Sequence, residues 1–187
     1  MNRREVRVVG SDTIENSLRR AGYGDDVKVG VGETRVLSRM LRADEVVVGQ
    51  VVGKGNLVEV NAQIMLPRDW RMRQPLPLIR AATPAAAADT LSQYVMRARA
   101  QMLGLRRCEN AMRVDDHARA IRGAEEGVLT YSASTLARTC LAVALRLNGM
   151  AADSVIRVAE AVLARDSLSI VAAVVRARSL SESGDAV

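Results

Sequence analysis

The sequence predicts an α+β fold: a small αβ domain with a β-hairpin, followed by an all-α array of helical hairpins. Three observations predict it. Residues 57–66 alternate apolar and polar side chains directly after a Gly-rich turn, the period-two mark of a half-buried strand. From Ala86 onward, apolar residues recur at helical spacing. Within that second half, landmarks return at an offset of about 35 residues, the mark of stacked supersecondary units.

The elements follow in order. Val6 to Val9 is a short β-branched run closed by Gly10, and reads as a strand. Ser11 and Asp12 offer N-caps, with Glu15 completing a capping box. Ile14, Leu18 and Ala21 mark one face of a short helix that Gly22 stops. A Gly- and Asp-rich stretch over 22–33 contains a brief Val27-Lys28-Val29 run. From Glu33 a second helix carries Val36, Leu37, Met40 and Leu41. Glu45 to Val52 is a strand, Gly53-Lys54-Gly55-Asn56 a turn, and Leu57 to Leu66 the return strand. Residues 69–73, around Trp70, add a short edge strand. Three of the four prolines (Pro75, Pro77, Pro84) then mark a connection, because proline interrupts both ladders and helices.

Helices fill the remainder. Ala86 to Arg113 forms a long first helix, weakened at Gly104. A second runs from about Asp115 to Leu129, with Ala118, Ile121, Ala124 and Val128 inward. Ser134 and Thr135 are candidate caps for a third, which Asn148-Gly149 ends. A fourth holds Val155, Val158, Ala159 and Val162, and a fifth runs from Ser169 to about Leu180. The expected domains are therefore 1–74, a Pro/Ala linker over 75–87, and a helical array over 88–187.

Composition narrows the function. With no Phe, one Trp and three Tyr, the core is built from Ala, Val, Leu, Ile and Met. Of 27 basic residues only Lys28 and Lys54 are lysine, and the formal charge is +6. This basic surface makes nucleic-acid binding the alternative reading. The distribution speaks against it: residues 1–87 carry 14 basic and 10 acidic side chains and residues 88–187 carry 13 and 11, with no aromatics beside the basic pairs for base stacking. No apolar run is long enough to span a membrane, and the chain as given opens without a secretory signal. Cys108 and Cys140 lie far apart in apolar helical patterns, without a CxxC pair, and read as buried small hydrophobes. His117 is the one histidine, so a zinc site lacks ligands.

The repeat has a recognisable form. Tyr131-Ser132-Ala133-Ser134 opens a helix ending at Asn148-Gly149; Asp166-Ser167-Leu168-Ser169 opens one ending at Ser183-Gly184. The offset is near the period of tetratricopeptide repeats, roughly 34 residues. Residues 88–187 resemble that family: Ala142 at the small position of the first helix, Leu141 and Leu145 at its large positions, Gly149 at the turn, Ser154-Val155 and Ala120-Ile121 where an Ala-Ile pair is usual, and Ala161 and Gly127 at the later small position. The family's aromatics are replaced by aliphatics and its closing proline by Ser132 and Ser167. The resemblance implies a protein-binding role without catalysis. Residues 169–187 supply a first helix without its partner, so the array is expected to be incomplete, with self-association through the last helix.

Residues 5–73 resemble, more loosely, the αβ domain of TolB-type and FlgO-type bacterial envelope proteins. Leu37 to Gly49 is similar to its helix and Leu-x-Ala-Asp-x-Val-Val-x-Gly strand, Val51 to Leu66 to its hairpin, and Trp70 to a Trp after the strand. This implies a bacterial, envelope-associated accessory protein and no catalytic residue; otherwise a cytoplasmic protein is expected. The family's propeller, upstream strand and signal segment are missing, and a fragment is expected.

Catalytic chemistry finds little support. There is no Ser-His or Cys-His arrangement. Asp115-Asp116 and Glu125-Glu126 are acidic pairs, but adjacent helical residues diverge by about 100°, and the first pair reads as favourable charge at a helix start. Val29-Gly30-Val31-Gly32-Glu33 is a Gly-rich helix entry without GxGxxG or Walker spacing. We therefore expect no catalytic, cofactor-binding or metal-binding residues, and a non-enzymatic interaction or scaffold module.

Overall fold

A computed structural model describes residues 6–24 and 30–184. Its contacts cluster into two compact units, Met1–Val46 and Val47–Val187. An α+β fold is observed, with four strands and eight α-helices among the described residues. The division falls at the start of the first strand, whereas the Pro-rich stretch lies inside the second unit.

The first unit holds α1 (Ser11–Arg20) and α2 (Val31–Met40). Residues 6–10 have no regular structure, so the expected first strand is absent. Four residues without a paired neighbour cannot satisfy a ladder. The capping box also fails to form: Gly10 is the N-cap of α1, without a side-chain cap bond. Ser11 and Asp12 instead lie within the helix. Gly22 stops it at φ +86°, as read. The Val27-Lys28-Val29 run lies outside the described residues. Leu37 and Ser38 are the buried positions of α2.

The second unit begins with a sheet. β1 (Val46–Lys54) and β2 (Leu57–Leu66) are joined by two residues, Gly55-Asn56. Gly55, at φ +63°, supplies the left-handed backbone such a tight turn requires. β2 buries Val60, Ala62, Ile64 and Leu66, the face that the alternation pointed inward. β3 (Asp69–Pro75) and β4 (Ile79–Ala81) both pair antiparallel with β2. Gln63 faces Pro75 and Val60 faces Ile79, so the two form one interrupted strand along the edge opposite β1. Leu76–Leu78 is the interruption. There Leu76 donates to the Ala62 carbonyl at 2.9 Å, and Pro77 has no donor to lose. The stretch expected as a linker therefore carries the end of the sheet.

About eight turns of helix follow almost without pause. α3 (Pro84–Ala98) is capped by Thr83, whose hydroxyl accepts from the Ala86 N–H at 3.2 Å, with Pro84 at the first position. A 3-10 turn at Arg99–Gln101 passes into α4 (Met102–Met112). The long first helix is thus two helices, and the seam lies before Gly104 rather than at it. Asp116 caps α5 (His117–Thr130), accepting from Arg119 N–H at 3.0 Å. α6 (Leu136–Leu147) has Thr135 as its N-cap, and the hydroxyl of Ser134, one residue earlier, accepts from Ala137 N–H at 3.0 Å. It closes with Gly149 N–H on Arg146 and Met150 N–H on Leu145, both at 3.1 Å, around Gly149 at φ +70°. α7 (Ala152–Leu163) and α8 (Ile170–Ser183) complete the stack, α8 capped by Ser169.

Each helix from α4 to α8 packs on the next, and α4 meets α6 as α6 meets α8. The main core joins both layers: Val60, Ile64, Leu66 and Ile79 from the sheet meet Ala98, Met102, Leu105, Cys108, Leu136 and Cys140 from the helices. A smaller cluster of Ala142, Val155, Ala159 and Val175 holds the last helices.

Candidate interaction face and its cleft

The alternation of the stack puts α4, α6 and α8 side by side. On the face they share lies a cleft of about 480 Å³. Glu109, Met112 and Arg113 line it from α4 and its C-cap, Thr139, Cys140 and Val143 from α6, and Val171 from α8; the β2–β3 hairpin closes it with Arg68, Asp69, Arg71 and Met72. Its floor is apolar and its rim is charged, the usual make-up of a recognition pocket.

The rim charges are mostly paired. Arg68 donates through Nε and Nη2 to the Glu109 carboxylate at 3.0–3.2 Å, fastening the hairpin tip to α4. Arg71 donates through Nε and Nη2 to Asp69 at 2.9 and 3.0 Å. These bonds hold the Asp69 carboxyl below its ordinary range, against a smaller opposing effect of burial. Arg113 makes no ion pair among the described residues. The lining therefore carries three guanidinium groups against two carboxylates.

Beneath the cleft, Cys108 and Cys140 are joined in a disulfide, with Cα atoms 6.5 Å apart. This corrects the reading of both as merely buried small hydrophobes. They are buried, but they are a covalent tie between α4 and α6. The two half-cystines differ in access: Cys108 is fully buried, while Cys140 lines the cleft at 7% exposure.

A second cleft, of about 460 Å³, lies between the sheet and the α7–α8 turn, lined by Gln50, Asn61, Gln63, Arg73 and Arg165 to Leu168. Arg73 binds Asp166 through two bonds of 2.6 and 2.7 Å, and this pair is largely buried. A buried amide network adjoins it. Gln74 Oε1 accepts from Thr135 N–H at 2.7 Å and from Gln101 Nε2 at 3.0 Å; Gln101 Oε1 accepts from the Ser134 hydroxyl and, at 3.2 Å, from Ala137 N–H. Gln74 Nε2 donates to the Pro75 and Ala133 carbonyls, and Gln101 Nε2 also to Ala98. Every polar atom of the two amides has a partner, so the network fixes β3 against the start of α6.

The acidic pairs do not converge. Asp116 is a cap, Asp115 is the turn residue at φ +54°, and Glu126 pairs with Arg107. At the Gly-rich entry, a Cβ on Gly30 would lie 2.7 Å from Glu33 Oε2. Glu33 thus folds back over the helix start where an anion would sit. No group of three or more metal-ligating side chains occurs among the described residues. No described helix is long and apolar enough to cross a membrane.

Sequence reasoning missed the disulfide, although a sign of it was present. Cys108 and Cys140 are 32 residues apart, close to the repeat offset. The helices that carry them, α4 and α6, meet directly in the fold. Comparison with protein-family models, curated proteins and solved structures finds no match to this chain.

Proposed function

We propose that this chain is a non-enzymatic protein-interaction module whose binding surface is the face shared by α4, α6 and α8. The observation that supports it most is the alternating stack itself. First helices lie in a row, second helices lie outside them, and the row carries the cleft. Tetratricopeptide-like arrays present a concave surface in this way, and the 35-residue offset and the small residues at Gly127, Ala142 and Ala161 favour that reading. The β2–β3 hairpin already covers one side of the row, held by the Arg68–Glu109 and Arg73–Asp166 pairs. A partner segment therefore docks beside the hairpin, on Met112, Arg113, Val143 and Val171, rather than along the whole row.

The experiment is site-specific photocrosslinking in a bacterial lysate. A photoreactive residue at Val143 or Arg113 is expected to capture a defined polypeptide, and one at Arg119 or Glu125 on α5 to capture none. Equal capture from both faces, or capture from neither, would sink the reading. The envelope-associated αβ domain resemblance adds a bacterial accessory setting to this proposal, and nothing in it requires a catalytic residue.

A further inference from the structure

Beyond an interaction role, we propose that Cys140 is a thiol–disulfide exchange site, reached through the cleft by a small anionic thiol. The argument starts from asymmetry. A disulfide is exchanged when a thiolate attacks one sulfur and the other leaves, so access decides which sulfur is attacked. Cys108, on the inner side of α4, is fully buried. Cys140 belongs to the same core but is 7% exposed and lines a cleft of about 480 Å³ that Cys108 does not reach. The cleft is far larger than a water-sized void and takes a molecule of a few residues' size. Its mouth carries Arg68, Arg71 and Arg113 against Asp69 and Glu109. Arg113 is without an ion pair among the described residues, so the residual field attracts an anion.

The step balances. The incoming thiolate sulfur bonds to Cys140 Sγ, the Sγ–Sγ bond breaks, and its electron pair leaves on Cys108 Sγ, which takes a proton from solvent. A second anionic thiol attacks the mixed disulfide, releasing the external disulfide and the Cys140 thiolate. The protein disulfide gains two electrons and the two external thiols lose them. In the reverse direction an external anionic disulfide closes the bond. The site thus couples the covalent tie between α4 and α6 to the thiol status of its surroundings.

The test uses the full chain. Protein purified in air is treated with excess glutathione at low salt, quenched in acid, and mapped by peptide mass spectrometry. The expected result is glutathione on Cys140, with Cys108 recovered as the free thiol, at least on the order of tenfold over the reverse adduct. An adduct on Cys108 of equal or greater yield overturns the proposal, as does the absence of exchange below the denaturing transition, or two free thiols in the starting protein. Cysteamine, a cationic thiol of smaller size, is expected to react several-fold slower at equal thiolate concentration, and the difference to vanish at about 0.5 M salt. A cysteamine rate equal to or above that of glutathione at low salt overturns the anionic preference. Cys108→Ser gives a second measurement: Cys140 is then alkylated by iodoacetamide in protein whose circular dichroism is native, whereas Cys108 in Cys140→Ser is protected. Equal rates in the two folded variants also overturn it.

Discussion

Two helix pairs in the same stack are held together by opposite means. Where α4 crosses α5, three glycines meet. A Cβ on Gly104 would lie 2.6 Å from both Gly123 O and Gly127 Cα, and closer still to Gly127 N; one on Gly123 would lie 2.8 Å from Cys108 N. Backbone lies on backbone there, and there is no room for a methyl group. Where α7 meets α8, Val155 and Ala159 pack with Val175, and Val158 and Val171 flank them. That seam is filled by side chains. The first pair gains from close approach, the second from apolar area at roughly 25 cal/mol per Å². One is therefore intolerant of added atoms and the other of lost ones.

The largest expected effect tests the glycine seam. Gly104→Ala raises intrinsic helix propensity by about 1 kcal/mol, yet forces two backbones apart. We expect a net loss of about 4 kcal/mol in urea unfolding. A variant as stable as the parent would mean that α4 and α5 do not touch. Next comes the disulfide between α4 and α6, whose loop encloses α5. Cys108→Ser with Cys140→Ser opens a loop of 32 residues' separation, worth about 3 to 4 kcal/mol in the loop-entropy account. The α7–α8 pair has no such tie. Limited proteolysis of the double variant is therefore expected to cut near residues 113–116 first. First cleavage in the α7–α8 turn would reverse the comparison.

The same contrast explains what was legible in the sequence. Strand β2 could be read because one face is buried and the other wet, so Val58, Val60, Ala62 and Ile64 stand out by alternation alone. Helices α5 to α8 could be read because Asp116, Ser134, Gly149 and Ser169 punctuate them chemically. Gly104 was misread as a weakness in a helix, because its reason is a partner across space, Gly127, and propensity is local. The strand expected at Val6 to Val9 did not form, since β-branched residues need a neighbouring strand as well as propensity. β4 was hidden by prolines that sit beside its ladder bonds, not on them. The cleft was illegible for a similar reason: Arg68, Glu109, Cys140 and Val171 come from four elements. The tetratricopeptide resemblance remains a proposal, whereas the helices it was drawn on are observed.

Between the two pairs stands the Arg73–Asp166 bridge, which fastens the sheet to the α7–α8 turn. Arg73→Met leaves Asp166, 6% exposed, without its cation. The expected loss is about 2 to 3 kcal/mol, mostly the burial of an unpaired carboxylate. Adding Asp166→Leu should recover most of it; a double variant as unstable as the single one would show that the pair itself carries stability. Smaller again is Val155→Ala, about 2 kcal/mol through lost apolar contact and a residual cavity. Val174→Ala, on the exposed side of α8 at 43% exposure, should stay within about 0.5 kcal/mol. Equal effects at the two sites would mean that the outer side of α8 is covered in solution.

The smallest effect belongs to the cleft rim, where charge rather than packing is at stake. Arg71 holds Asp69 by two side-chain bonds and donates its backbone N–H to Oδ1 at 3.1 Å, lowering the carboxyl from its ordinary value of 3.8. A carboxyl depressed in the folded state contributes stability that is fully present above its unfolded value and lost as pH falls through its folded value. Arg71 is mostly exposed, so solvent screening limits the contribution to about 0.5 kcal/mol. Asp69→Asn should therefore be slightly less stable than the parent at pH 6, and the gap should close as the pH falls below 3.8. A gap that persists unchanged at pH 2.5 would assign the difference to hairpin geometry. A gap of several kcal/mol at pH 6 would mean that the rim is sealed from water, and would bring the hairpin tip into the same class as the buried seam between α4 and α5.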